Sequence, residues 1–442
     1  MANFLFIRGN RNKKFFIDVA NQINKLGHCS YLIKLELGDL LFKSGDIKTV
    51  FAPFKVNKKE YPISNEELLN MEIYNVTYIQ RILKKRVSKK TLTLYKRYMY
   101  YIDKFIVENK IDVICLFNGY HWIDRVTSYL AKKRGLKVIC FEDGLFRPAT
   151  VTCDPKGINA ASSVRQDADF YDSIKVDYNR LENFLFKAEH PLHLKRKKEN
   201  LLRVAFVKAL SMFGGFIGLH PNYYVHINLP QAIRYFLFKM QFSRRNNDVI
   251  DLPDEYVFVP FQVSRDTQIF YNSPNIETME GLLDYVYSAV LKFNKENNRH
   301  LKVIVKEHPE DMSRNNYKDL KDRYKNINEV IFLEKCNVKE LIKKSEAVIT
   351  INSTVGIEAL TKNKRVLTLG EALYNIAGVV HKVNDPKNLH LDLQKALSTP
   401  INVERIQKFI YYLRFIYQVE GTISIPNEQT AKNLAARLNQ LI

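Results

Sequence analysis

Cysteine is scarce in this 442-residue sequence, and its five cysteines show no close spacing. There is no CxxC pair, so neither a zinc knuckle nor a disulfide framework is supported. Cys115 and Cys140 lie inside apolar runs, as expected for buried free thiols in a reduced, cytoplasmic protein.

Long apolar runs are absent as well. The run in "MANFLFIRGNRNKK" is too short for a signal peptide, and basic residues follow it. No apolar stretch approaches the roughly 20 residues that a transmembrane helix requires. We therefore expect a cytosolic protein, which leaves open a peripheral position on a membrane.

Familiar nucleotide and metal motifs are also missing. The sequence contains no GxxxxGK[ST], which excludes P-loop chemistry, and "GNRNKK" does not match GxGxxG. Asp167 and Asp169 form an Asp-x-Asp, but no apolar strand leads into it, so a polar loop is the better interpretation. We expect no catalytic metal and no cofactor.

Acidic residues are few relative to basic ones: 47 against 68, a net charge of +21. Such a surplus favours nucleic acid, anionic lipid or phosphorylated substrates as partners. Residues 187–245 alone carry 11 Lys and Arg against 2 Asp and Glu, with many aromatic residues between them. A basic amphipathic face suits an anionic membrane surface, although a solvated helical face explains the pattern equally well. No nucleic-acid-binding signature is present, so nucleic acid is not an expected partner.

Apolar strands alternate with amphipathic helices in two parts of the chain, which predicts parallel α/β sheets. The first part, residues 1–172, is predicted to be a Rossmann-like domain, and residues 250–400 a second one. Between them lies the basic, largely helical segment 173–249, and helices close the chain over residues 401–442. Two Rossmann-like domains facing a cleft correspond to the GT-B layout.

Two polar stretches follow predicted strands in a way that suggests chemistry. "FEDGLFRP" places Glu142 and Asp143 at a strand end, where α/β enzymes hold catalytic groups; an ordinary acidic turn explains it equally well. "VPFQVSRDTQI" presents Gln262, Arg265 and Asp266 in a loop. A carboxylate kept ionised by a neighbouring arginine is a possible nucleophile, but a local surface salt bridge is the simpler explanation.

A third stretch, "VIVKEHPED", ends an apolar strand with Lys306, His308 and Pro309. Proline terminates the strand. Lys306 and His308 are two residues apart and would project to the same side of a continued strand, so both would reach one phosphate.

A fourth stretch, "VITINSTVGIEAL", passes from a strand into a helix. A helix beginning near Thr354 would offer backbone N–H groups and a dipole to an anion. Ser353 or Thr354 would cap that helix or bind the phosphate. Capping alone does not explain Gly356, which we expect to allow close approach of the backbone to a ligand.

Taken in order, these stretches resemble the bacterial capsule polysaccharide synthesis family, which includes the β-Kdo transferases of group 2 capsule lipid-linker assembly. The resemblance is carried by "FLFIRGNRNKKFFIDVANQINKLGH…GD", "FEDGLFRPATVTCDPKGIN", "PFQVSRDTQI", "KEHP" and "NSTVGIEAL". It covers both α/β domains. The basic loop "RGNRNKK" departs from the family's Gly-Pro-type turn.

The resemblance implies a retaining transferase that moves Kdo from CMP-β-Kdo through a covalent glycosyl-enzyme. Asp266, four residues after Gln262, matches the family's nucleophile, and Glu142 the acid/base, with Asp143 as the other candidate. Arg147 follows the acidic turn as in the family and is assigned to the ulosonate carboxylate. No divalent ion is needed for such a leaving group.

The motifs "HP" and Ser/Thr match those that hold the cytidine monophosphate, and Lys306 would add charge to the same phosphate. The expected donor-binding residues are Lys306, His308, Pro309, Ser353, Thr354, Gly356, Gln262, Arg265 and Arg147. The expected acceptor is a lipid-linked glycan or an oligosaccharide, at the inner face of the cytoplasmic membrane.

Three alternatives remain open at this point. One is a transferase of the same fold with another donor, for example a CMP-sialic-acid-like or a nucleotide-diphosphate sugar. The others are a role in capsule assembly or export without catalysis, and nucleic-acid binding.

Overall fold

The computed structural model describes residues 1–7, 13–186, 201–221, 229–248, 251–312, 315, 317–424 and 427–442. These residues divide into two α/β units. Unit 1 holds the described residues within 1–163, 189–226 and 414–442, and unit 2 holds those within 164–188 and 227–413.

The described strands are β1 (Asn3–Ile7), β2 (Cys29–Lys34), β3 (Lys48–Phe51), β4 (Val113–Phe117), β5 (Lys137–Asp143), β6 (Thr150–Asp154), β7 (Tyr256–Pro260), β8 (Lys302–Lys306), β9 (Val330–Leu333), β10 (Ala347–Thr350), β11 (Arg365–Thr368), β12 (His381–Lys382) and β13 (Val419–Glu420).

The described helices are α1 (Lys14–Lys25), α2 (Asn65–Leu69), α3 (Tyr74–Thr77), α4 (Lys89–Glu108), α5 (Trp122–Lys133), α6 (Ala168–Asp172), α7 (Tyr178–Phe186), α8 (Leu201–Phe216), α9 (Leu229–Arg244), α10 (Thr267–Asn272), α11 (Met279–Asn297), α12 (Lys318–Tyr324), α13 (Val338–Lys344), α14 (Val355–Leu360), α15 (Leu389–Ser398), α16 (Val403–Tyr411) and α17 (Glu428–Leu441).

Each unit is built on one sheet, and the two sheets share a strand order. In unit 1 the order is β3-β2-β1-β4-β5-β6-β13, and in unit 2 it is β9-β8-β7-β10-β11-β12. Both follow the 3-2-1-4-5-6 order of the Rossmann fold. The pairings are parallel except at the end of the first sheet, where β5–β6 and β6–β13 are antiparallel. The predicted α/β fold with two Rossmann-like domains is confirmed.

The central strands explain why the sequence forms these sheets. β4, "VICLF", and β7, "YVFVP", are buried along their whole length, as expected for parallel strands covered on both faces. In β1 the side chains alternate between two cores. Phe4 and Phe6 pack on the side of α1, whereas Leu5 and Ile7 join the cluster that α4 and α5 cover.

The C-terminal end of the chain belongs to unit 1, a division that differs from the predicted separate segment 401–442. Helix α17 buries Ala431, Leu434, Ala435 and Leu438, a spacing of one helix face, in the same core as α1. Strand β13 pairs with β6, so unit 1 is completed by residues about 270 positions later in the chain.

The predicted boundary at residue 172 also differs from the observed division. Residues from 164 onward belong to unit 2, where Gln166 donates through Nε2 to the carbonyl of Leu373 at 3.0 Å. Asp172 forms an ion pair with Arg405 of α16. These contacts join residues more than 200 positions apart, and no local pattern in the sequence signals them.

The described part of the basic middle segment is helical, as predicted, and its three helices are divided between the units, with α7 in unit 2. Helix α8 packs in unit 1 against the 3-10 turn Leu37–Leu41, and α9 belongs to unit 2. Among the described helices, none combines the length and the apolar character needed to cross a bilayer.

Candidate active site

In unit 2 the strand order reverses between β7 and β10, which lie side by side. Ligands of doubly wound sheets bind beyond the carboxyl ends of the strands at such a reversal. The loops that follow these two strands carry the predicted residues Gln262 and Ser353.

Gln262 ties the two strand ends together. Its Oε1 accepts from Thr350 Oγ1 at 3.3 Å and from the backbone N–H of Asn352 at 3.1 Å, while Nε2 donates to Asn352 Oδ1 at 2.8 Å. Its side chain is buried. The amide is therefore committed mainly to positioning the loops. Asn352, which the sequence analysis passed over, also donates to the carbonyls of Gln268 and Asn272.

Asp266, the predicted nucleophile, is the N-cap of α10. Its Oδ1 accepts from the backbone N–H of Gln268 at 2.9 Å and from Thr267 Oγ1 at 3.2 Å. A capping aspartate at the start of a short helix is a common structural arrangement. The structural alternative that the sequence suggests is a salt bridge with Arg265, whereas the structure shows a helix cap.

A buried carboxylate joins the loop after β7 to the loop after β8. Asp311 is fully buried and accepts from Ser264 Oγ at 3.0 Å and from Tyr317 Oη at 2.5 Å. Burial and the neighbouring Asp311 raise the pKa of Tyr317, so the phenol remains a donor. Together with Gln262, Asp311 brings the loops after β7, β8 and β10 to one edge of the sheet.

Lys306 ends β8 with a nearly buried side chain whose Nζ donates to the carbonyl of Glu307 at 2.8 Å. Burial lowers the pKa of Lys306, against the opposing effects of Cys336, Glu307 and Asp248. Glu307 is buried beside it and pairs with Lys321 at 2.5 Å. The lysine charge is thus held in place by carbonyl and carboxylate neighbours.

His308 is half-buried, and its Nδ1 accepts from the backbone N–H of Glu310 at 3.2 Å. This contact assigns the neutral tautomer with the proton on Nε2. Burial lowers the pKa of His308, and Lys306 lowers it further, whereas Glu310, Asp311 and Asp266 raise it. At neutral pH His308 is therefore a hydrogen-bond donor without a charge. Pro309 follows it and is exposed.

Ser353 and Thr354 lie at the start of α14. Ser353 Oγ accepts from the backbone N–H of Val355 at 3.2 Å, whereas the side chain of Thr354 makes no capping bond. Since α14 has only six residues, its dipole is small. The expectation of a phosphate here therefore depends on the two hydroxyl groups more than on the helix end.

Gly356 has a packing role in the structure, and its predicted contact with a ligand stays a prediction. A Cβ at this position would lie 2.6 Å from Tyr374 Oη and 2.8 Å from its Cζ. The same hydroxyl donates to the carbonyl of Ser353 at 2.5 Å. The glycine therefore admits a buried tyrosine that holds the Ser353 backbone.

In unit 1 the acidic stretch lies in a hairpin, whereas the sequence predicts carboxylates at the end of the strand. β5 continues through Asp143 and turns back into antiparallel β6, with Glu142 opposite Thr152. The turn requires Gly144, because a Cβ there would lie 2.1 Å from the carbonyl oxygen of Thr150. Arg147 is exposed, and its Nε donates to the carbonyl of Gly144 at 3.3 Å.

Both carboxylate oxygens of Glu142 are occupied. Asn118 Nδ2 donates to Oε2 at 2.6 Å, and the backbone N–H of Asp143 donates to Oε1 at 3.0 Å. Burial, with a contribution from Asp143, raises the pKa of Glu142 to about 7, although Asn118 and Arg147 oppose the shift. A carboxyl group with this pKa exchanges a proton at neutral pH, as an acid/base requires.

Asn118 is a further site residue that the sequence analysis missed. It follows β4 in the left-handed region, with φ of 70°, and precedes Gly119 with φ of 87°. Asparagine and glycine tolerate this backbone conformation. The signal was the "NG" directly after the buried strand "VICLF".

The loop "RGNRNKK" after β1 is mostly outside the described residues, since residues 8–12 are not described. Lys13, which follows, pairs with Asp39 at 2.9 Å and approaches Glu36 at 3.8 Å. This buried acidic pair fixes the end of the loop to the turn after β2.

Among the described residues, no group of three His, Cys, Asp or Glu side chains is arranged to hold a metal ion. The Asp-x-Asp has a structural role, because Asp167 caps α6 through the backbone N–H of Asp169 at 3.2 Å. Metal-independent chemistry stays a prediction.

The chain matches the family model described as "Capsule polysaccharide biosynthesis protein" over residues 112–398. It belongs to this family. The match begins just before β4 and ends within α15, so it includes the Glu142 hairpin and all three loops of unit 2.

Two relatives each match more than half of the chain. The chain is 30% identical over 327 residues to protein FixF of Sinorhizobium fredii. The matched region covers 73% of this chain and 64% of FixF, so the chain spans less than two thirds of that relative. It is 25% identical over 292 residues to the capsule polysaccharide export protein KpsS of Escherichia coli, covering 61% of this chain and 70% of KpsS.

Among solved structures, the chain is similar to the β-Kdo 2,7 transferase of Thermosulfurimonas dismutans KpsC. The TM-score is 0.36 with 18% identity, covering 86% of this chain and 98% of that one. It is also similar to the UDP-GlcNAc 2-epimerase of Methanocaldococcus jannaschii, with a TM-score of 0.35, 12% identity and full coverage of both chains.

Proposed function

We propose that this protein is a retaining glycosyltransferase that moves Kdo from CMP-β-Kdo to a glycan acceptor in capsule or surface polysaccharide synthesis. The observation that carries the proposal is the convergence of three loops at the strand-order reversal of unit 2. Gln262 ties the loops after β7 and β10, and Asp311 ties in the loop after β8. The same three loops carry the motifs that resemble the family's donor site.

The donor phosphate would be held by one charge and several neutral donors. Lys306 supplies the charge, while His308 donates from Nε2, and the hydroxyls of Ser353 and Thr354 complete the set. Such preorganised donors stabilise the charge that develops on departing CMP. The remaining expected donor contacts, those of Pro309, Arg265 and Arg147, stay proposals.

The chemistry would be a double displacement. A carboxylate oxygen of Asp266 attacks the anomeric carbon, and the bond to the phosphate oxygen of CMP breaks with its electron pair. The acceptor hydroxyl then loses its proton to Glu142 and attacks the same carbon, which releases Asp266. Two inversions give net retention. Asp143 is the other candidate for the base.

The acceptor would be a lipid-linked glycan or an oligosaccharide. A lipid-linked acceptor would hold the protein at the inner face of the cytoplasmic membrane, where the positive charge of the chain suits anionic lipid.

A panel of donors tests the proposal, with release of the nucleotide as the measurement. CMP-Kdo should be consumed, and CMP-sialic acid and UDP-sugars should not. In Asp266→Asn the release should fall at least about a thousandfold, because the amide still caps α10 but is not a nucleophile. Asp167→Asn is the matched control, since it changes another capping aspartate, and it should keep full activity.

The name of the Escherichia coli relative suggests a second candidate, a role in capsule export or assembly without catalysis. That role predicts no turnover of any donor in the panel. It also predicts an intact capsule in cells that carry Asp266→Asn.

A further inference from the structure

Helix α8 of unit 1 exposes a continuous apolar stripe. Its large side chains are more than half exposed: Leu202, Phe206, Phe213, Phe216 and the following Ile217. Positions 202, 206, 209, 213 and 216 recur every three or four residues and so share one face of the helix. Ala209 completes that face, which carries no charged residue. Exposed apolar patches of this kind mark interaction surfaces.

The opposite face of α8 is fixed tightly to unit 1. A Cβ on Gly38 would lie 2.5 Å from the carbonyl oxygen of Val207 and 2.6 Å from Ser211 Oγ. A Cβ on Gly214 would lie 2.5 Å from Nε2 of the buried His220. These close contacts hold the helix on the turn Leu37–Leu41, so the stripe cannot turn inward.

The turn that holds α8 follows the carboxyl end of β2. The carboxyl ends of β4 and β5, where Asn118 and Glu142 lie, belong to the same edge of this sheet. The apolar stripe is thus presented from the edge of unit 1 to which we assign the acid/base.

The charge around the stripe identifies its partner. Arg203 and Lys208 flank it on α8, and no Asp or Glu occurs anywhere in residues 200–247. A second copy of this chain would bring two basic faces together, whereas an anionic leaflet attracts them. Phenylalanines on one face with basic residues beside them are typical of helices that lie in a membrane interface.

We propose that α8 is the membrane-docking element of this protein, which inserts Phe206, Phe213 and Phe216 into an anionic phospholipid surface. This deepens the proposed function by naming the partner of the acceptor side, and it rests on that function only for the statement that the acceptor is lipid-linked. Docking through α8 would bring the strand ends of unit 1 to the surface from which such an acceptor arrives.

Vesicle co-sedimentation of the full chain tests the proposal. The wild type should bind phosphatidylglycerol-containing vesicles, and pure phosphatidylcholine vesicles more weakly. The triple variant Phe206→Ser, Phe213→Ser, Phe216→Ser should bind the anionic vesicles at least about a hundredfold more weakly, because it loses the three aromatic rings that insert into the lipid. Triple-variant binding equal to the wild type would overturn the proposal, as would a wild type that does not bind.

The matched control is Leu26→Ser with Val107→Ser. These side chains are also about half exposed in unit 1. They end α1 and α4, just before β2 and β4 begin, so they lie at the opposite edge of the sheet. The double variant should bind like the wild type. If it loses binding to the same degree as the triple variant, the effect is general surface hydrophobicity and the assignment to α8 is wrong.

Hydrogen exchange on the unmodified protein gives an independent readout. Residues 201–217 should exchange more slowly when anionic vesicles are added, and unchanged exchange there would contradict the proposal.

Sedimentation velocity without lipid tests whether a second copy of this chain covers the stripe instead. A dimer that the triple variant converts to monomer would show that the stripe is a contact between copies. Asp266→Asn should still bind vesicles, so failure of sugar transfer and failure of docking are separate results.

Discussion

The two units start from the same strand order and differ at the sixth strand. In unit 1, β6 returns antiparallel to β5 in a tight hairpin, whereas in unit 2, β12 runs parallel to β11. The hairpin keeps Glu142 inside the sheet, where burial raises its pKa toward neutrality. In unit 2, Lys306 ends the parallel strand β8, and His308 lies in the loop that follows it. One scaffold therefore provides a proton-exchanging edge in one unit and an edge of cationic and neutral hydrogen-bond donors in the other.

Each unit contains a buried glutamine, and replacing each one gives the strongest test of whether the two units have different roles. Gln262→Ala would remove the hydrogen bonds that Gln262 accepts from Thr350 and Asn352. Gln418→Ala would remove the bond accepted from the N–H of Leu145 and the bond donated to the hydroxyl of Thr152. We expect each to lower the free energy of unfolding by about 2–4 kcal/mol, since buried partners lose their hydrogen bonds.

The two variants should differ in where they act. Hydrogen exchange should rise at residues 350–356 in Gln262→Ala and at residues 142–152 in Gln418→Ala, and only the first should lose affinity for CMP. If Gln418→Ala weakens CMP binding as much as Gln262→Ala does, the nucleotide does not belong to unit 2.

Glu142→Gln tests whether Glu142 exchanges a proton near neutral pH, through the pH dependence of unfolding. The pKa of Glu142 is about 7 in the folded protein against a usual 4.5, so the folded state holds a proton that the unfolded state has lost between those values. The ionisation of Glu142 therefore lowers the free energy of unfolding as the pH rises from about 4.5 to 7. Glu142→Gln should unfold like the wild type at pH 4.5 and be about 1–2 kcal/mol more stable than it at pH 8.

Urea unfolding across this pH range is the measurement. Asn118→Ala is the companion variant, because losing its hydrogen bond should raise the pKa of Glu142 further and move the transition to higher pH. A Glu142→Gln difference that is the same at every pH would mean that Glu142 does not titrate in this range.

The smallest expected effect concerns His308. His308→Asn replaces Nδ1 with an amide oxygen that accepts from Glu310 and removes the Nε2 donor. Stability should change by less than about 0.5 kcal/mol, while CMP affinity should fall roughly tenfold for one lost hydrogen bond.

Calorimetric titration of the protein with CMP, repeated from pH 8 to 6.5, shows whether His308 carries a charge. The pKa of His308 lies below its usual value, so the imidazole stays neutral and affinity should be flat over this range. An affinity that climbs as the pH falls to 6.5, and that His308→Asn abolishes, would show that His308 acts as a cation.

The sheets were predictable because parallel strands buried on both faces leave continuous apolar runs such as "VICLF" and "YVFVP". The loops of unit 2 were predictable for a similar reason, since polar residues directly follow those runs. What could not be predicted depends on distant residues. The return of α17 to α1, and the tyrosine under Gly356, join positions that no local pattern relates.

The hairpin at Glu142 was missed for a local reason. "FEDG" has the pattern of a strand end, and the constraint that turns it back is the close approach of Gly144 to Thr150. Asp266 shows the opposite problem. The sequence predicts a role in chemistry, while the structure adds a cap that the same carboxylate fulfils.

Intact-mass measurement after incubation with CMP-Kdo tests the central claim most directly. We predict a covalent glycosyl adduct that maps to Asp266, persists when acceptor is withheld and is absent from Asp266→Asn, while Asp167→Asn still forms it. An adduct on any other residue, or consumption of CMP-Kdo by Asp266→Asn at the wild-type rate, would contradict the account.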